Sequence, residues 1–541
     1  MTVVPLLAIA REDGETIDQV RGKERLLASL ARQDAPIARW KAAADLWCAG
    51  WFRTPPFGAS YQALVGELLG RGTVLPGHVS APLLEDARAI AGRERFFHWT
   101  LEFPECFHDG DGRPLAAAGF DAVIGNPPWE MLRGDCGPAA ARSAAVEAAA
   151  RVTAFSRRSG TYRHQGDGHA NLFQLFVERA LGLARRGGRI GLVLPSGFAS
   201  DHGCARLRRL VLDRSRIDTF VSVENRDGLF PIHRGLRFLL LTATAGSETA
   251  TLPCRFGVRS PETLDGLADT GRDHDEVPIA RDVIVRFAGD AWAIPELRSA
   301  RDLAIVTRIA FSAPPLGADG WGVAFGRELN ATDDRRHFVA ADSAASRRRL
   351  LPVVEGKQLQ PFSVAVARAT LAVPERAAAR LLDPGRTYRR ARLGYRDVAS
   401  ATNRLTLIAA ILPAGVVTTH TVFCLKSPLD DDLQQFLCGM FNSYVANYLV
   451  RLRVGTHVSA AIVERLRVPR PAAGSEPLRR IAGLSRRLGA SPHDRHAGVE
   501  LQARAAALYG LSGDEFQHVL DTFPLVDQND RRAAMDAFRV L

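Results

Sequence analysis

The sequence predicts an α/β protein with a doubly wound, mostly parallel sheet, followed by a mixed α+β unit and a helical C-terminal tail. Three observations support this. Strand and helix patterns alternate from about Ala116 to Ala250. Short mixed segments then run from about Leu316 to Pro471. From Glu476 onward the pattern is helical, and Ser512 with Glu515 forms a capping box that predicts a helix start.

The alternating region begins with FDAVIG, Phe120 to Gly125, a short run of strand formers. HANLFQLFVERALGLARRGG begins at His169 with helical spacing, and Gly187 with Gly188 predicts its end. The later predictions are a strand at 189–197, a helix at 205–215, a strand at 217–225 and a last strand at 236–244. Apolar strands separated by helices are typical of a parallel sheet covered on both faces, where ligands bind beyond the carboxyl ends of the strands.

Composition narrows the class of protein. The 541 residues are 46% hydrophobic and 24% charged, enough for about three domains. No apolar run approaches the roughly 20 residues that a membrane helix needs, and the first residues have no basic start, so we expect a cytoplasmic protein without a membrane partner. The seven cysteines include no CxxC pair, which argues against a zinc ribbon or a disulfide framework.

The net charge of +11 favours a nucleic-acid partner, because a basic surface attracts phosphate backbones. Only four of the 70 basic residues are lysines, so the dominance of arginine is also explained by the base composition of the gene. Charge alone therefore indicates the partner only weakly.

The first strand ends in Asn126-Pro127-Pro128-Trp129. Consecutive prolines fix the backbone and remove donors, so the carbonyls of Asn126 and Pro127 are left as free acceptors. With the Asn126 side-chain oxygen they can accept both hydrogens of an exocyclic amino group, which prepares its nitrogen to attack a methyl group. Trp129 supplies a face on which an extruded base can stack.

A purely structural interpretation of this elbow is a rigid turn with a tryptophan that fills the core. The longer pattern of an apolar strand, a glycine and Asn-Pro-Pro-aromatic favours the functional interpretation.

FDAVIGNPPW resembles the catalytic motif of amino-group methyltransferases that use S-adenosylmethionine. The flanking sequence is similar to the type IIG, Eco57I-like adenine-specific DNA methyltransferases. The similar stretches are RFFHWTLEFPECF, HANLFQLFVERALGLARRGGRIGLVLPSGFASD, ENRDGLFPIHRGLRFLLLT and later ones such as VVEGKQLQPF and VGTHVSAAIVERLRVP. The resemblance implies catalytic roles for Asn126, Pro127, Pro128 and Trp129.

The resemblance also implies a domain order. It gives an N-terminal helical connecting region at 1–115, part of a Rossmann-like methyltransferase sheet at 116–255, a connector at 256–315, a target recognition domain at 316–475 and a helical tail at 476–541. The expected cofactor is S-adenosylmethionine, and the expected partner is double-stranded DNA.

One part of the family pattern is missing. The Gly-rich cofactor turn and the acidic residue that follows the second strand are not found before Asn126. We therefore expect a chain that begins near the middle of the methyltransferase sheet, as a split subunit, a truncated gene or a product with a late-assigned start. An upstream-encoded polypeptide would then carry the cofactor motif and a nuclease.

Donor side chains in the second half predict DNA contacts, and these are Arg327, Asn330, Lys357, Arg396, Asn403, Arg404 and His457. Each of them is also compatible with a solvated surface position. Glu355-Gly356-Lys357, with Asp334 or Asp342 upstream, is a weak match to a metal-dependent nuclease. No other pattern indicates a metal site.

The leading hypothesis is a site-specific adenine-N6 DNA methyltransferase of a restriction-modification or phage-defence system. Methylation of RNA bases or of protein glutamine uses a related elbow, but a large recognition-like unit argues against both. A non-catalytic DNA-recognition subunit or inactive remnant is a third hypothesis, favoured by the missing glycine turn.

Overall fold

A computed structural model describes most of the chain. The described residues are 3–11, 15–30, 32, 35–72, 74–132, 139–168, 171–260, 262, 263, 265, 276–341, 349–382, 387–400, 402–454 and 457–541. His169 and Asp342 lie outside them. The chain forms two compact units, Met1–Pro253 with Gly257–Asp269, and Cys254–Phe256 with Thr270–Leu541. Among the described residues, no helix is long and apolar enough to span a membrane.

The first unit begins with helices. They are α1 (Val4–Arg11), α2 (Ile17–Leu30), α3 (Pro36–Phe52), α4 (Ser60–Leu68), α5 (Gly77–Glu94) and α6 (Trp99–Glu102). Helices α3, α4 and α5 share a small apolar core around Leu46, Leu64 and Leu84. Aromatic side chains at its margin, such as Phe52 against Phe96, extend that core.

The sheet of this unit follows. Its elements are β1 (Phe120–Gly125), α7 (Ala139–Arg158), α8 (Leu172–Leu183), β2 (Ala184–Pro195), α9 (Gly197–Ser200), α10 (Ala205–Arg214), β3 (Ser215–Glu224), β4 (Arg237–Ala245) and β5 (Thr251–Val258). The strand order is β1-β2-β4-β3-β5. The α/β class is therefore confirmed, and strand β1 has the predicted bounds.

The sheet is mixed: β1, β2 and β3 run in one direction, as a mostly parallel sheet requires, but the prediction missed the reversal of β4. Strands β1 and β2 are parallel, but β4 runs antiparallel to both β2 and β3. The link between β3 and β4 is short and contains no crossover helix, and such a link returns the chain in the opposite direction. Asn225 holds the link by donating to the carbonyls of Phe230 and Ile232 at 3.1 and 3.2 Å.

The predicted end of α8 was also wrong. The helix ends at Leu183, and the glycines expected to stop it lie inside β2. Gly187 has a φ of 79°, and a Cβ at Gly188 would lie 2.8 Å from the carbonyl oxygen of Phe120. These glycines therefore permit the register shift and close pairing between β2 and β1.

Strand β1 lies at an edge of the sheet. Within the described residues it is hydrogen-bonded on one side only, to β2. Ile124 on this strand is 85% exposed. An apolar side chain is thus left in solvent next to unpaired backbone groups.

The second unit contains short strands and a helical end. Its elements begin with β6 (Val277–Ala280), α11 (Arg281–Ala288), α12 (Ala300–Ser312), β7 (Phe325–Gly326), β8 (Val339–Ala340), β9 (Leu350–Val354), β10 (Leu359–Gln360), β11 (Ser363–Val364), β12 (Leu371–Pro374), α13 (Glu375–Leu381), β13 (Arg392–Arg396), β14 (Ala409–Leu412), β15 (Val417–Thr418) and β16 (Val422–Leu425). They continue with α14 (Asp431–Phe441), α15 (Tyr444–Arg451), α16 (Ala460–Glu464), α17 (Glu476–Ala490), α18 (Arg495–Leu508), α19 (Gly513–Asp521) and α20 (Gln528–Arg539).

Two four-stranded sheets organise this unit, in the orders β15-β9-β12-β8 and β14-β13-β16-β7. The predicted helical tail is confirmed by α17 to α20. Ser512 caps α19, and the predicted capping box with Glu515 is present.

A buried ion pair ties these strands together. Arg392 donates through Nε and Nη2 to the carboxylate of Glu328 at 2.9 and 2.8 Å, and both side chains are 1% exposed. The same carboxylate accepts from the backbone N–H of Thr418 at 2.8 Å. The carboxylate of Glu328 therefore connects β13 and β15, which are distant in sequence.

Replacement of Glu328 by Gln should lower the free energy of unfolding by about 3–5 kcal/mol, because it leaves the Arg392 charge buried without a counter-ion. The measurement is equilibrium denaturation of the full chain. Asp536→Asn is the matched control: it removes an exposed carboxylate paired with Arg539 and should cost at most about 1 kcal/mol. Equal effects of the two substitutions would contradict the role of the buried pair.

Candidate functional site

The elbow Asn126-Pro127-Pro128-Trp129 follows the carboxyl end of β1, at the sheet edge where the sequence places a ligand. Asn126 and Pro128 are exposed, Pro127 is buried, and Trp129 is partly buried. The prolines remove two backbone donors, so the segment joins no strand ladder.

The start of α8 anchors the elbow. The Asn171 side chain donates through Nδ2 to the backbone carbonyl of Trp129 at 3.1 Å, and its Oδ1 accepts from the N–H of Phe173 at 3.4 Å. The N–H of Leu172 donates to the carbonyl of Glu130 at 2.9 Å. Asn171 is therefore both the helix cap and the brace of the elbow.

Trp129 packs against a cluster on the sheet formed by Val221, Val223, Phe238 and Val258. Its indole Nε1 is buried and has no hydrogen-bond partner in the described part of the chain. The ring is thus fixed against the sheet, with its one polar atom turned away from solvent.

Asn126 and Pro127 line a pocket of about 700 Å³. The opposite walls are aromatic and come from α3, from the segment around α6, and from α7 and α8, and they include Trp47, Phe97, Trp99, Phe155 and Phe176. Several of these rings touch in edge-to-face pairs, among them Phe97 with Trp99 and Trp47 with Phe155. A flat, apolar ligand with a polar edge toward Asn126 suits such a pocket.

Few polar groups interrupt the aromatic wall. His98 Nε2 lies 2.8 Å from Asp45 Oδ1. Burial, with the nearby charge of Asp45, raises the pKa of the Cys48 thiol to about 11, so this thiol stays protonated near neutral pH. Cys48 therefore gives the pocket no activated thiol, and the polar side chains of its lining include Tyr162 and Arg179 beside Asn126.

In the second unit, Asp397 brings two of the predicted DNA-contacting residues together. The side chain of Asp397 is buried. Its Oδ2 lies 3.0 Å from Arg327 Nη2 and 3.4 Å from His457 Nδ1, and both side chains are about half exposed. Arg327 also lies over the ring of Phe423, 4.9 Å from its centroid. The carboxylate of Asp397 and the ring of Phe423 thus fix the orientation of the Arg327 side chain.

The other residues predicted to contact DNA lie at separate places in the second unit. Arg396 ends β13 beside Asp397, and Lys357 Nζ pairs with Glu355 Oε2 at 2.7 Å. Asn330 forms a turn by accepting from the N–H of Thr332 at 2.9 Å. Asn403 and Arg404 lie in the loop after β13, where their backbone carbonyls accept from the guanidinium of Arg451.

Nothing in the described residues groups three metal-ligating side chains. Of the weak nuclease pattern, Glu355 is paired with Lys357, and Asp334 accepts from the N–H of Asn330 at 2.7 Å.

The sequence analysis did not predict the roles of Asn171 and Asp397. The residue type of Asn171 is typical of a helix cap, but its bond to Trp129 joins positions 42 residues apart. Asp397 carries no local motif, and its two partners are distant along the chain. Of the aromatic wall, the sequence analysis singled out only the stretch RFFHWTLEFPECF, which precedes the elbow.

Comparison with known proteins supports the resemblance. Residues 78–230 match the model of the Eco57I restriction-modification methylase family. No curated protein shows significant sequence similarity to the chain.

Solved structures show weaker similarity. The type IIL restriction-modification enzyme MmeI in complex with DNA aligns with a TM-score of 0.43 and 10% identity, over 74% of this chain and 56% of MmeI. The type IIG restriction endonuclease BpuSI gives 0.30 and 12%, over 97% of this chain and 68% of BpuSI. The DrdV–DNA complex gives 0.36 and 12%, over 81% of this chain and 49% of DrdV. The chain thus spans about half of the MmeI and DrdV chains.

Asn171 offers a test of the brace. Asn171→Ala should destabilise α8 by about 1 kcal/mol through loss of the cap, whereas Asn171→Asp keeps a capping acceptor. Both variants lose the donor to Trp129, so hydrogen exchange should show weaker protection of the Leu172 N–H in both and of the Phe173 N–H only in Asn171→Ala. Ser512→Ala removes the cap of α19 and serves as control. Unchanged Leu172 protection in Asn171→Asp would show that the elbow does not need this amide.

Proposed function

We propose that this chain, part of which matches the Eco57I restriction-modification methylase family, methylates the N6 amino group of an adenine in double-stranded DNA. The observation that carries the proposal is the elbow at the end of β1, where Asn126 and Pro127 face a pocket with aromatic walls. S-adenosylmethionine, when bound, supplies the electrophilic methyl group.

The reacting nitrogen is prepared by acceptors of the elbow. The Asn126 side-chain oxygen and the Pro127 carbonyl each accept one amino hydrogen, which concentrates the nitrogen lone pair toward the methyl group. No strong general base is required, since the proton is lost after the nitrogen has become positively charged. The absence of titratable groups from the elbow agrees with this chemistry.

The target adenine must leave the duplex to reach the elbow. Extrusion costs a few kcal/mol, and stacking on an aromatic ring returns roughly 1–3 kcal/mol per base. We assign that stacking role to Trp129. Its packing against the sheet means that the ring is already ordered before the base arrives, which reduces the entropy lost on binding.

The same pocket suits part of the cofactor. Its aromatic faces match a planar purine and a sulfonium cation. The glycine turn and the acidic residue that bind the rest are missing from the sequence before Asn126. We propose that an upstream-encoded polypeptide supplies them, with or without a nuclease, and that the two chains act together.

For DNA, we assign phosphate contacts to Arg327, Arg396, Lys357 and His457. Arginine and lysine at such positions fix the register of the protein on the duplex. Asn330, Asn403 and Arg404 complete the proposed set.

Asn126→Ala should abolish methyl transfer and leave cofactor binding unchanged, because it removes an acceptor of the amino group, whereas the proposed cofactor contacts are the aromatic faces of the pocket. Incorporation of labelled methyl groups into DNA measures the first quantity. Calorimetric titration with S-adenosylmethionine, with and without the upstream product, measures the second. Asn529→Ala, an exposed change in the first turn of α20, is the matched control.

The titration also separates the hypotheses. Binding by the chain alone would mean that it holds a complete cofactor site, and binding only with the upstream product would support a split enzyme. Binding in neither case would favour a non-catalytic recognition subunit. Turnover of Asn126→Ala at the level of the unmodified chain would remove Asn126 from the mechanism.

Trp129→Ala should weaken binding to a duplex with a mismatched adenine by about 5- to 150-fold, the equivalent of one lost stacking contact. Trp129→Phe retains a ring and should lose less. Competition binding against a fully paired duplex of the same sequence gives the effect specific to extrusion. Thermal unfolding of both variants checks that the cluster on the sheet survives. Equal affinities of the Ala and Phe variants for the mismatched duplex would contradict the stacking role.

A further inference from the structure

Four arginines of the second unit converge on the end of α11. Arg286 lies in its last turn, Arg453 follows α15, and Arg465 and Arg467 follow α16. Arg467 Nε donates to the backbone carbonyl of Arg286 at 2.9 Å. A Cβ on Gly289 would lie 3.2 Å from Arg465 Nε, and the Arg453 guanidinium lies 3.6 Å from the ring centroid of Phe287. We call these four residues the arginine cluster.

Two of its members have their own structural roles. Arg467 binds the carbonyl of Arg286 and, through Nη1, the carbonyl of Ala313 at 2.8 Å. It thereby caps the ends of α11 and α12, where the helix dipole favours a cation. Arg286 lies over Phe311, 4.4 Å from the ring centroid. Neither contact is with a carboxylate.

Among the residues that the structure describes, Arg453 has no comparable structural contact with a helix end. Its Nε and Nη2 atoms are buried and, within the described residues, have no hydrogen-bond partner. Burial lowers the pKa of Arg453 to about 9, and the nearby charges of Arg465 and Arg467 act in the same direction. A buried guanidinium with two unsatisfied donors costs free energy that the ring face of Phe287 offsets only in part.

No member of the cluster has a carboxylate within ion-pair distance in the described part of the chain, although exposed arginines elsewhere form many such pairs. Guanidinium groups bind phosphate oxygens with paired, charge-assisted hydrogen bonds. A phosphate group bound at the partly exposed members of the cluster would offset the repulsion among Arg453, Arg465 and Arg467.

We propose that the arginine cluster is a binding site for a phosphate group. The phosphate belongs either to the DNA backbone or to a free phosphate-bearing molecule. Only the DNA source rests on the proposed function, and the site itself does not depend on methyl transfer.

Thermal unfolding of the full chain tests the site with inorganic phosphate as the probe, against chloride at equal ionic strength. Phosphate should raise the Tm of the unmodified chain by mass action and should raise that of Arg453→Met and Arg465→Gln less. Arg453→Met keeps an apolar contact with Phe287, and Arg465→Gln provides a second variant if the first does not fold. Arg539→Gln, an exposed change on α20, should respond as the unmodified chain does.

The salt dependence of binding to a random-sequence duplex identifies the source. If the phosphate is that of DNA, Arg465→Gln should reduce the slope of log affinity against log salt by about one and Arg539→Gln should not. A phosphate effect on Tm with an unchanged slope would assign the site to a free phosphate-bearing molecule. If Arg465→Gln matches the control in both measurements, the site is excluded. Failure of methyl transfer would leave both measurements unaffected, so the two proposals can fail separately.

Discussion

The geometry of the candidate site depends on the two hydrogen bonds of one amide, that of Asn171. Pro127 and Pro128 deprive the elbow of backbone donors, so a strand ladder cannot hold it. The amide replaces that ladder by binding the carbonyl of Trp129 and the first turn of α8 together. Trp129 also packs on the sheet, so the elbow is held on that side. Asn126 and Pro127 line the pocket on the other side.

The two units use different physical means to position their candidate site residues. In the first unit, acceptors face aromatic walls, where a planar ring gains from burial and a misplaced charge would be costly. In the second unit, buried carboxylates determine the positions of basic side chains. Asp397 directs Arg327 and His457 outward, whereas Glu328 binds Arg392 inside the core. Paired cations are thus part of the framework, and the arginine cluster differs from them because no carboxylate balances it.

Local patterns predicted much of the fold. The strand FDAVIG, the elbow after it and the capping box at Ser512 each depend on neighbouring residues, and the structure contains all three. The direction of β4 was missed because it depends on the shortness of one link. The glycines at 187 and 188 indicated a helix end, but the close approach of β1 decided their place. The roles of Asn171 and Asp397 arise from contacts distant in sequence, which no periodicity reports.

The exposed edge of β1 has a consequence for the behaviour of the chain in solution. Natural edge strands are usually protected by charges, prolines or bulges, since an unprotected edge is a template for intermolecular pairing. Here Asp121 gives β1 one exposed charge, but Ile124 lies almost fully in water. The purified chain is therefore expected to associate as its concentration rises, through the same edge that leads into the pocket beside Asn126.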